Sequence, residues 1–65
     1  MSLTPIEHKI LKVMLERKRY MTSRKIARLS RISWNTAKSY LNEFYDMGWV
    51  TYKKRGNRIY WKAIR

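Results

Sequence analysis

The sequence changes from a helical to a strand pattern at Gly48. Before Gly48, apolar side chains recur at spacings of three and four residues, which is typical of amphipathic helices. After it, residues 49–53 and 58–64 are rich in β-branched and aromatic side chains, and the segment 54–57 between them contains glycine and asparagine, as turns do. The chain is therefore predicted to form helices up to Gly48 and a β-hairpin over 49–64.

The helical part contains clear start and stop signals. Thr4, Pro5 and Glu7 predict the start of the first helix, because the threonine and glutamate can form a capping box and proline is tolerated at the first helical position. Ser33 is a favourable N-cap for the last helix, and Gly48 is suited to end it in the left-handed conformation. These signals predict helices at 5–17, 23–29 and 34–47.

One core is expected to unite the helices and the hairpin. The β-leaning segment 19–22 predicts a short strand before Thr22 or Ser23 caps the second helix. The core candidates in the helices are Ile6, Ile10, Val13, Met14, Ile26, Ala27, Leu29, Ala37, Tyr40, Leu41 and Phe44, with Leu3 and Leu11 as further candidates. In the hairpin, strand alternation gives Val50, Tyr52, Ile59, Trp61 and Ala63.

The chain is short and has no cysteine. Its 65 residues are expected to form a single domain, 1–65, which is too small for an enzyme core with a deep substrate pocket. Without cysteine there is no disulfide and no thiolate metal site, and His8 alone cannot hold a metal ion. No apolar run reaches the roughly 18 to 20 residues of a membrane span, and no signal peptide is evident. We therefore expect a cytoplasmic protein that is not an enzyme and has no cofactor, metal or membrane partner.

The basic residues are concentrated in two segments. Sixteen Lys and Arg against four Asp and Glu give a net charge of +12. Thirteen of the sixteen lie in 17–31 and 53–65, and neither segment contains an acidic residue. Because 45% of the residues are apolar, the composition indicates a folded domain and not a disordered basic tail. A solvated basic surface is the simpler explanation of the high charge. The concentration of the basic residues in two acid-free segments instead favours a surface that binds a polyphosphate.

Two helices joined by a short turn and followed by a basic hairpin indicate a helix-turn-helix with a wing. The segment 23–50 resembles the core of winged helix-turn-helix transcription regulators of the MarR, ArsR and Lrp kinds. The matching motifs are Ile26-Ala27, Arg31-Ile32-Ser33, Thr36, Leu41 and Gly48-Trp49-Val50, and 58–63 resembles the second wing strand of the ArsR kind. The resemblance implies an α+β fold, a winged helix-turn-helix made of a three-helix bundle and a C-terminal β-hairpin wing.

The sequence departs from these regulators at the turn. They usually have glycine where this chain has Arg31, and a non-glycine residue at positive φ costs on the order of 1 kcal/mol. Either the turn has another shape or Arg31 is retained for a phosphate. The metal ligands of the ArsR kind and the long flanking helices of the MarR kind have no counterpart in this sequence, so no small-molecule ligand is inferred.

The resemblance and the chemistry of DNA recognition select the same residues. A third helix in the major groove would present donors and acceptors to base edges from its N-terminal half, and the candidates are Trp34, Asn35, Thr36, Lys38, Ser39 and Asn42. Two of these residues have an open alternative role in packing. Trp34 is alternatively an anchor against the hairpin, and Thr36 alternatively braces the packing of the helix. The second helix and the wing supply the phosphate candidates, which are Thr22, Ser23, Arg24, Arg28, Arg31, Lys53, Lys54, Arg55, Asn57 and Arg58.

The leading hypothesis is a sequence-specific regulator of transcription that binds double-stranded DNA in the nucleoid. Two alternatives share the fold: an architectural DNA binder with little sequence preference, and a winged helix that binds RNA or docks on a protein. A homodimer is also predicted, because a single unit reads few base pairs and Tyr20, Tyr45, Trp49 and Tyr60 cannot all fit one small core. The first helix, the residues near Trp49, or both would form its interface.

Overall fold

The computed structural model describes residues 4–64, so the core candidate Leu3 lies outside the described residues. The elements, in chain order, are α1 (Pro5–Arg17), β1 (Met21–Thr22), α2 (Ser23–Ser30), α3 (Trp34–Asp46), β2 (Val50–Arg55) and β3 (Arg58–Ala63). Three helices and an antiparallel sheet confirm the predicted α+β fold with a hairpin wing. The helix bounds differ from the predicted ones by at most one residue.

Each helix begins at a side-chain cap. In α1, the backbone N–H of Thr4 donates to Glu7 Oε1 at 3.1 Å, and the N–H of Glu7 donates to Thr4 Oγ1 at 3.2 Å, which completes the capping box. Thr22 caps α2 by accepting the N–H of Lys25 at 3.2 Å. Ser33 caps α3 in the same way. Local hydrogen bonding therefore fixes where the helices start.

The sheet has the strand order β1-β3-β2, with both pairs antiparallel. The hairpin runs from the pair Val50 and Ala63 to the pair Arg55 and Arg58, and Gly56 adopts the positive φ of its turn. The two-residue strand β1 pairs with the middle of β3 and continues directly into α2. The wing is therefore attached to the start of α2 through β1.

The core lies where the three helices meet the first part of the hairpin. Its buried side chains are Ile10, Met14, Met21, Ile26, Leu41, Phe44, Val50 and Trp61. Ala27 and Ala37, which are also buried, are small residues on the two helices of the helix-turn-helix. The helical core prediction is confirmed for these positions, whereas Ile6 lies at the exposed start of α1.

Two hairpin residues that alternation assigned to the core are exposed. Tyr52 and Ile59 retain 44% and 42% of their accessible surface, although they lie on the same sheet face as Trp61. The prediction was wrong because the hairpin extends beyond the helices, which cover only its first residues. The Tyr52 ring packs instead against Trp61, at 5.3 Å between centroids, and against Tyr45, at 5.0 Å.

Trp49 is one of the four aromatic residues that were not all expected to fit one small core. It is partly buried and stacks on Phe44 with 5.6 Å between ring centroids. Its backbone carbonyl accepts the N–H of Ile64 at 3.0 Å, so the end of the hairpin closes on it. Trp49 therefore belongs to the core of its own chain.

The turn between α2 and α3 keeps its left-handed geometry without glycine. Arg31 has φ 58° and ψ 46°, and the following N–H, of Ile32, donates to the carbonyl of Ala27 at 3.0 Å. Lys18 ends α1 in the same conformation, with φ 50°. The departure from glycine therefore leaves the shape of the turn intact and places a strained basic residue in it.

This geometry predicts that Arg31→Gly stabilises the protein. Relief of the left-handed strain, about 1 kcal/mol, exceeds the cost of the extra chain entropy of glycine, about 0.5 kcal/mol, so we expect a net gain of about 0.5 kcal/mol. Thermal unfolding followed by circular dichroism measures it, as a rise in Tm of about 2–4 °C. Lys18→Gly should stabilise the protein by a similar amount, whereas Arg28→Gly, inside α2, should destabilise it. A loss of stability in Arg31→Gly comparable with that in Arg28→Gly would contradict the assignment of strain.

Candidate nucleic-acid interface

An open groove lies between α2, α3 and the wing. Its volume is about 780 Å³, and five of its lining residues are cationic, from α2, α3 and β3: Arg24, Lys25, Arg28, Lys38 and Arg58. The uncharged lining residues are Thr22, Ser23, Trp34, Asn42, Asn57, Ile59 and Trp61. None of the lining residues is acidic. The groove therefore has the charge of a binding site for a polyanion.

The groove brings together much of the predicted site. The predicted residues that line it are Thr22, Ser23, Arg24, Arg28, Trp34, Lys38, Asn42, Asn57 and Arg58. Lys25, Ile59 and Trp61 also line it and were missed. The acid-free run 17–31 was the available signal for Lys25, whereas Ile59 and Trp61 had been assigned to the core. The predicted residues outside the groove are Arg31, Asn35, Thr36, Ser39, Lys53, Lys54 and Arg55.

Trp34 connects the two helices of the helix-turn-helix. Its indole N–H donates to Ser23 Oγ at 2.8 Å, which joins the first residue of α3 to the first residue of α2. The guanidinium carbon of Arg24 lies 4.3 Å from the centroid of the indole ring, and the ammonium nitrogen of Lys38 lies 4.2 Å from it. These contacts come from α2 and α3, so they anchor Trp34 to the two helices, whereas the alternative interpretation had placed its anchor on the hairpin.

The ring of Trp34 therefore organises charge at the groove. Cations are attracted to the face of an indole ring, and at partly exposed sites the attraction is worth about 0.5–1 kcal/mol for each cation. Arg24 and Lys38 belong to different helices, yet they meet at the same side chain. Two long, flexible side chains are thus held in place before any ligand arrives.

Asn35 and Ser39 project from the opposite side of α3 to its buried stripe. Asn35 is nine positions from the buried Phe44, about two and a half helical turns, and therefore lies on the other side of the helix. Ser39 follows one turn after Asn35, and both side chains are exposed.

Thr36 has a different position from its exposed neighbours. It is half-buried, its N–H donates to Ser33 Oγ at 3.2 Å, and its Oγ1 accepts from the Ser33 hydroxyl at 2.8 Å. Both contacts belong to the cap of α3. The geometry favours the alternative in which Thr36 braces the start of the helix.

The predicted wing residues lie on two faces of the sheet. Lys54 pairs with Ile59 and shares the face of the groove, whereas Lys53 pairs with Tyr60 on the opposite face. The ammonium nitrogen of Lys53 lies 4.3 Å from the centroid of the Tyr20 ring. The strand register therefore directs Lys53 away from α3.

Neither a cluster of metal ligands nor a membrane-spanning helix is found in the described part of the chain. Among residues 4–64, no three or more His, Asp or Glu side chains form a group that could hold a metal ion. The described helices are also too short or too polar to cross a bilayer.

A basic groove beside an exposed polar helix, built on three helices and a wing, defines a winged helix domain of the nucleic-acid-binding class. The chain matches the sequence profile of the winged helix-turn-helix DNA-binding family over residues 3–51, about three quarters of its length. It therefore belongs to this family, and the resemblance drawn from the sequence is confirmed. No curated protein sequence gave a match.

Solved structures show the same fold at low sequence identity. The ST1889 protein from the thermoacidophilic archaeon Sulfolobus tokodaii is 23% identical, with a TM-score of 0.83 over 94% of this chain and 61% of that one. ZitR, a zinc-responsive MarR family member from Lactococcus lactis, is 18% identical, with a TM-score of 0.81 over 100% of this chain and 46% of that one. This chain thus spans less than two thirds of either protein.

One similar structure is an enzyme. Human N-acetylserotonin methyltransferase, solved in complex with SAM, is 13% identical, with a TM-score of 0.80 over 92% of this chain. The match covers only 17% of the methyltransferase chain. The likeness therefore concerns the winged fold alone.

The contacts of Trp34 predict an energetic coupling between α2 and α3. Trp34→Phe keeps a ring but removes the indole N–H, and Ser23→Ala removes its acceptor, so each should lower the free energy of unfolding by about 1 kcal/mol. The double variant should lose little more than either single variant, since both remove the same hydrogen bond. Urea unfolding of the four proteins measures this cycle. Additive losses would show that the bond between Trp34 and Ser23 contributes no coupling.

Proposed function

We propose that this protein is a sequence-specific regulator of transcription that binds double-stranded DNA, with α3 in the major groove and the wing on the backbone or in the adjacent minor groove. The observation that carries the proposal is an acid-free cationic groove directly beside an exposed, mainly uncharged helix face. Membership of a DNA-binding family supports it. ZitR, which shares the fold, has been solved in complex with DNA. The protein would act at the nucleoid, in the cytoplasm.

Base reading is assigned to the exposed face of α3. Asn35, Ser39 and Asn42 combine exposure with amide or hydroxyl groups that can both donate and accept hydrogen bonds. An asparagine can contact adenine through two hydrogen bonds, which discriminates against a wrong base by about 1–3 kcal/mol. Lys38 lies at the edge of this face towards the groove. Trp34 and Thr36 remain candidates for contacts with a thymine methyl group or a sugar.

Phosphate binding is assigned first to the start of α2. The Thr22 hydroxyl accepts the N–H of Lys25, so the backbone N–H groups of Ser23 and Arg24 remain directed out of the helix end. A helix N-terminus attracts anions, and the Arg24 guanidinium adds a full charge beside it. Arg28, one turn further along α2, adds another positive charge for phosphate contacts. Arg31 would add a further one from the turn.

The wing supplies the second set of backbone contacts. Asn57 and Arg58 at the hairpin turn line the groove opposite α2, so a DNA strand there would meet cations on both sides. Lys54 and Arg55 lie at the exposed end of β2, next to Gly56. Arginine at this end suits a narrow minor groove, where the negative potential is strongest. Lys53 would have to leave Tyr20 to take part.

Selection from random duplexes tests this function. We expect an enriched motif, because the α3 face carries specific donors and acceptors. Asn35→Ala should then lose about 1–3 kcal/mol of preference at one base position and keep its binding to unrelated duplexes. Arg55→Ala should instead weaken binding to all duplexes alike.

The other outcomes identify the alternative functions. Tight binding without an enriched motif would reject base reading and favour an architectural DNA binder. Displacement of duplex DNA by RNA at equal concentration would favour an RNA-binding winged helix. Absence of nucleic-acid binding would leave a protein-docking role.

We further propose that the protein binds DNA as a homodimer. A two-fold site doubles the number of base pairs read, and one winged unit covers few. Ile6 and Leu15 leave apolar surface exposed on α1, with exposed fractions of 36% and 40%, and Met47 and Ile64 do so near Trp49, with 45% and 56%. These two regions are the candidate interfaces.

Light scattering at micromolar concentration tests the dimer. The expected mass is twice the 8.0 kDa of one chain. Leu15→Lys and Met47→Lys introduce the same charge at the two candidate interfaces, so the variant that becomes monomeric identifies the interface. A mass of 8.0 kDa for the free wild-type protein, together with a single protein chain per duplex in the DNA complex, would contradict the proposal.

A further inference from the structure

The face of the sheet that is turned away from the helices carries both aromatic and basic side chains. We call it the outer sheet face and define it by Tyr20, Thr51, Lys53, Tyr60 and Lys62. The pairs Thr51 with Lys62 and Lys53 with Tyr60 place four of these residues on one side of the β2–β3 ladder. Tyr20 joins them, because Lys53 and Lys62 both contact its ring.

Two ammonium groups converge on one ring at this face. The ammonium nitrogen of Lys53 lies 4.3 Å from the centroid of Tyr20, and that of Lys62 lies 5.5 Å from it. The segments 17–42 and 47–65, which include every strand, contain no Asp or Glu. The attraction of the ring therefore offsets the repulsion of two like charges that no carboxylate within these segments neutralises. A phosphate group would complete this arrangement.

The tyrosines narrow the choice of ligand. Tyr20 and Tyr60 are half-buried, so their rings are held at the surface of the sheet. In a duplex the bases are stacked on one another and would offer only phosphates to this face. A single strand offers base faces that stack on aromatic rings, together with phosphates that bind lysine. Interleaved tyrosine and lysine thus match a single strand better than a duplex.

We infer that the outer sheet face binds single-stranded nucleic acid, with bases stacked on Tyr20 and Tyr60 and phosphates bound by Lys53 and Lys62. The inference does not rest on the proposed function, because none of the five residues that define this face lines the groove beside α3. Of the residues that share this side of the sheet by register, Thr22 and Arg58 do line the groove. When a base stacks on Tyr20, the lysine over the ring moves to the adjoining phosphate. A protomer can then hold a duplex and a single strand at the same time.

Fluorescence anisotropy with a labelled oligothymidylate of about 12 nucleotides tests the inference. The oligonucleotide is added to the free protein and to protein saturated with an unlabelled duplex, and it should bind both. Tyr20→Leu and Lys62→Glu should each weaken its binding by at least about fivefold and leave duplex binding unchanged. An oligouridylate of equal length shows whether DNA or RNA is the better ligand.

Matched variants separate the outer sheet face from general charge. Lys12→Glu, on the exposed side of α1, changes the net charge as Lys62→Glu does, and Tyr45→Leu removes an exposed tyrosine from α3. Neither should weaken binding of the single strand, and circular dichroism checks that all variants are folded. Complete displacement of the oligonucleotide by the duplex, or equal losses in the matched variants, would overturn the inference. If the first equivalent of duplex leaves the oligonucleotide bound and a second equivalent displaces it, the face binds duplex DNA, and the inference is overturned.

Discussion

The antiparallel pairing of Met21 with Trp61 holds the wing and the helices in one arrangement. Both side chains are buried in the common core, so the pair connects the sheet to the helical bundle as well as strand to strand. Thr22, the next residue, caps α2. The position of the wing and the start of α2 therefore depend on the same two-residue strand. Since both border the groove, the spacing of its cations is set by the core.

The charge of this protein opposes its folding and suits it to bind a polyanion. A net charge of +12 on 65 residues repels itself, and a domain of this size has a small core to offset that repulsion. The structure limits the cost locally by placing cations over aromatic rings, with Arg24 and Lys38 at Trp34 and Lys53 at Tyr20. Under the proposed function, a bound phosphate backbone would remove the remaining repulsion, so DNA and the folded state would stabilise each other.

Local signals explain how much of this fold could be predicted from the sequence. The capping box at Thr4 and Glu7, the cap at Ser33 and the change of pattern at Gly48 depend on residues a few positions apart, and the structure contains each of them as predicted. The exposure of Tyr52 could not be predicted in this way, because alternation assigns a sheet face but not the point where the helices stop covering it. The bond between Trp34 and Ser23 joins two helices, and the contact of Lys53 with Tyr20 needs the register of three strands. Local patterns contain neither.

The central claim is that cations hold the DNA backbone while uncharged side chains of α3 choose the sequence. The dependence of affinity on salt, compared between a duplex with the selected motif and its scrambled counterpart, tests this division most directly. If six to ten phosphates are neutralised, affinity for both should fall roughly 10³- to 10⁵-fold between about 50 and 200 mM salt. The two plots of log affinity against log salt should be parallel, because phosphate contacts do not depend on sequence. A flat dependence, or two lines that converge as salt rises, would contradict the account.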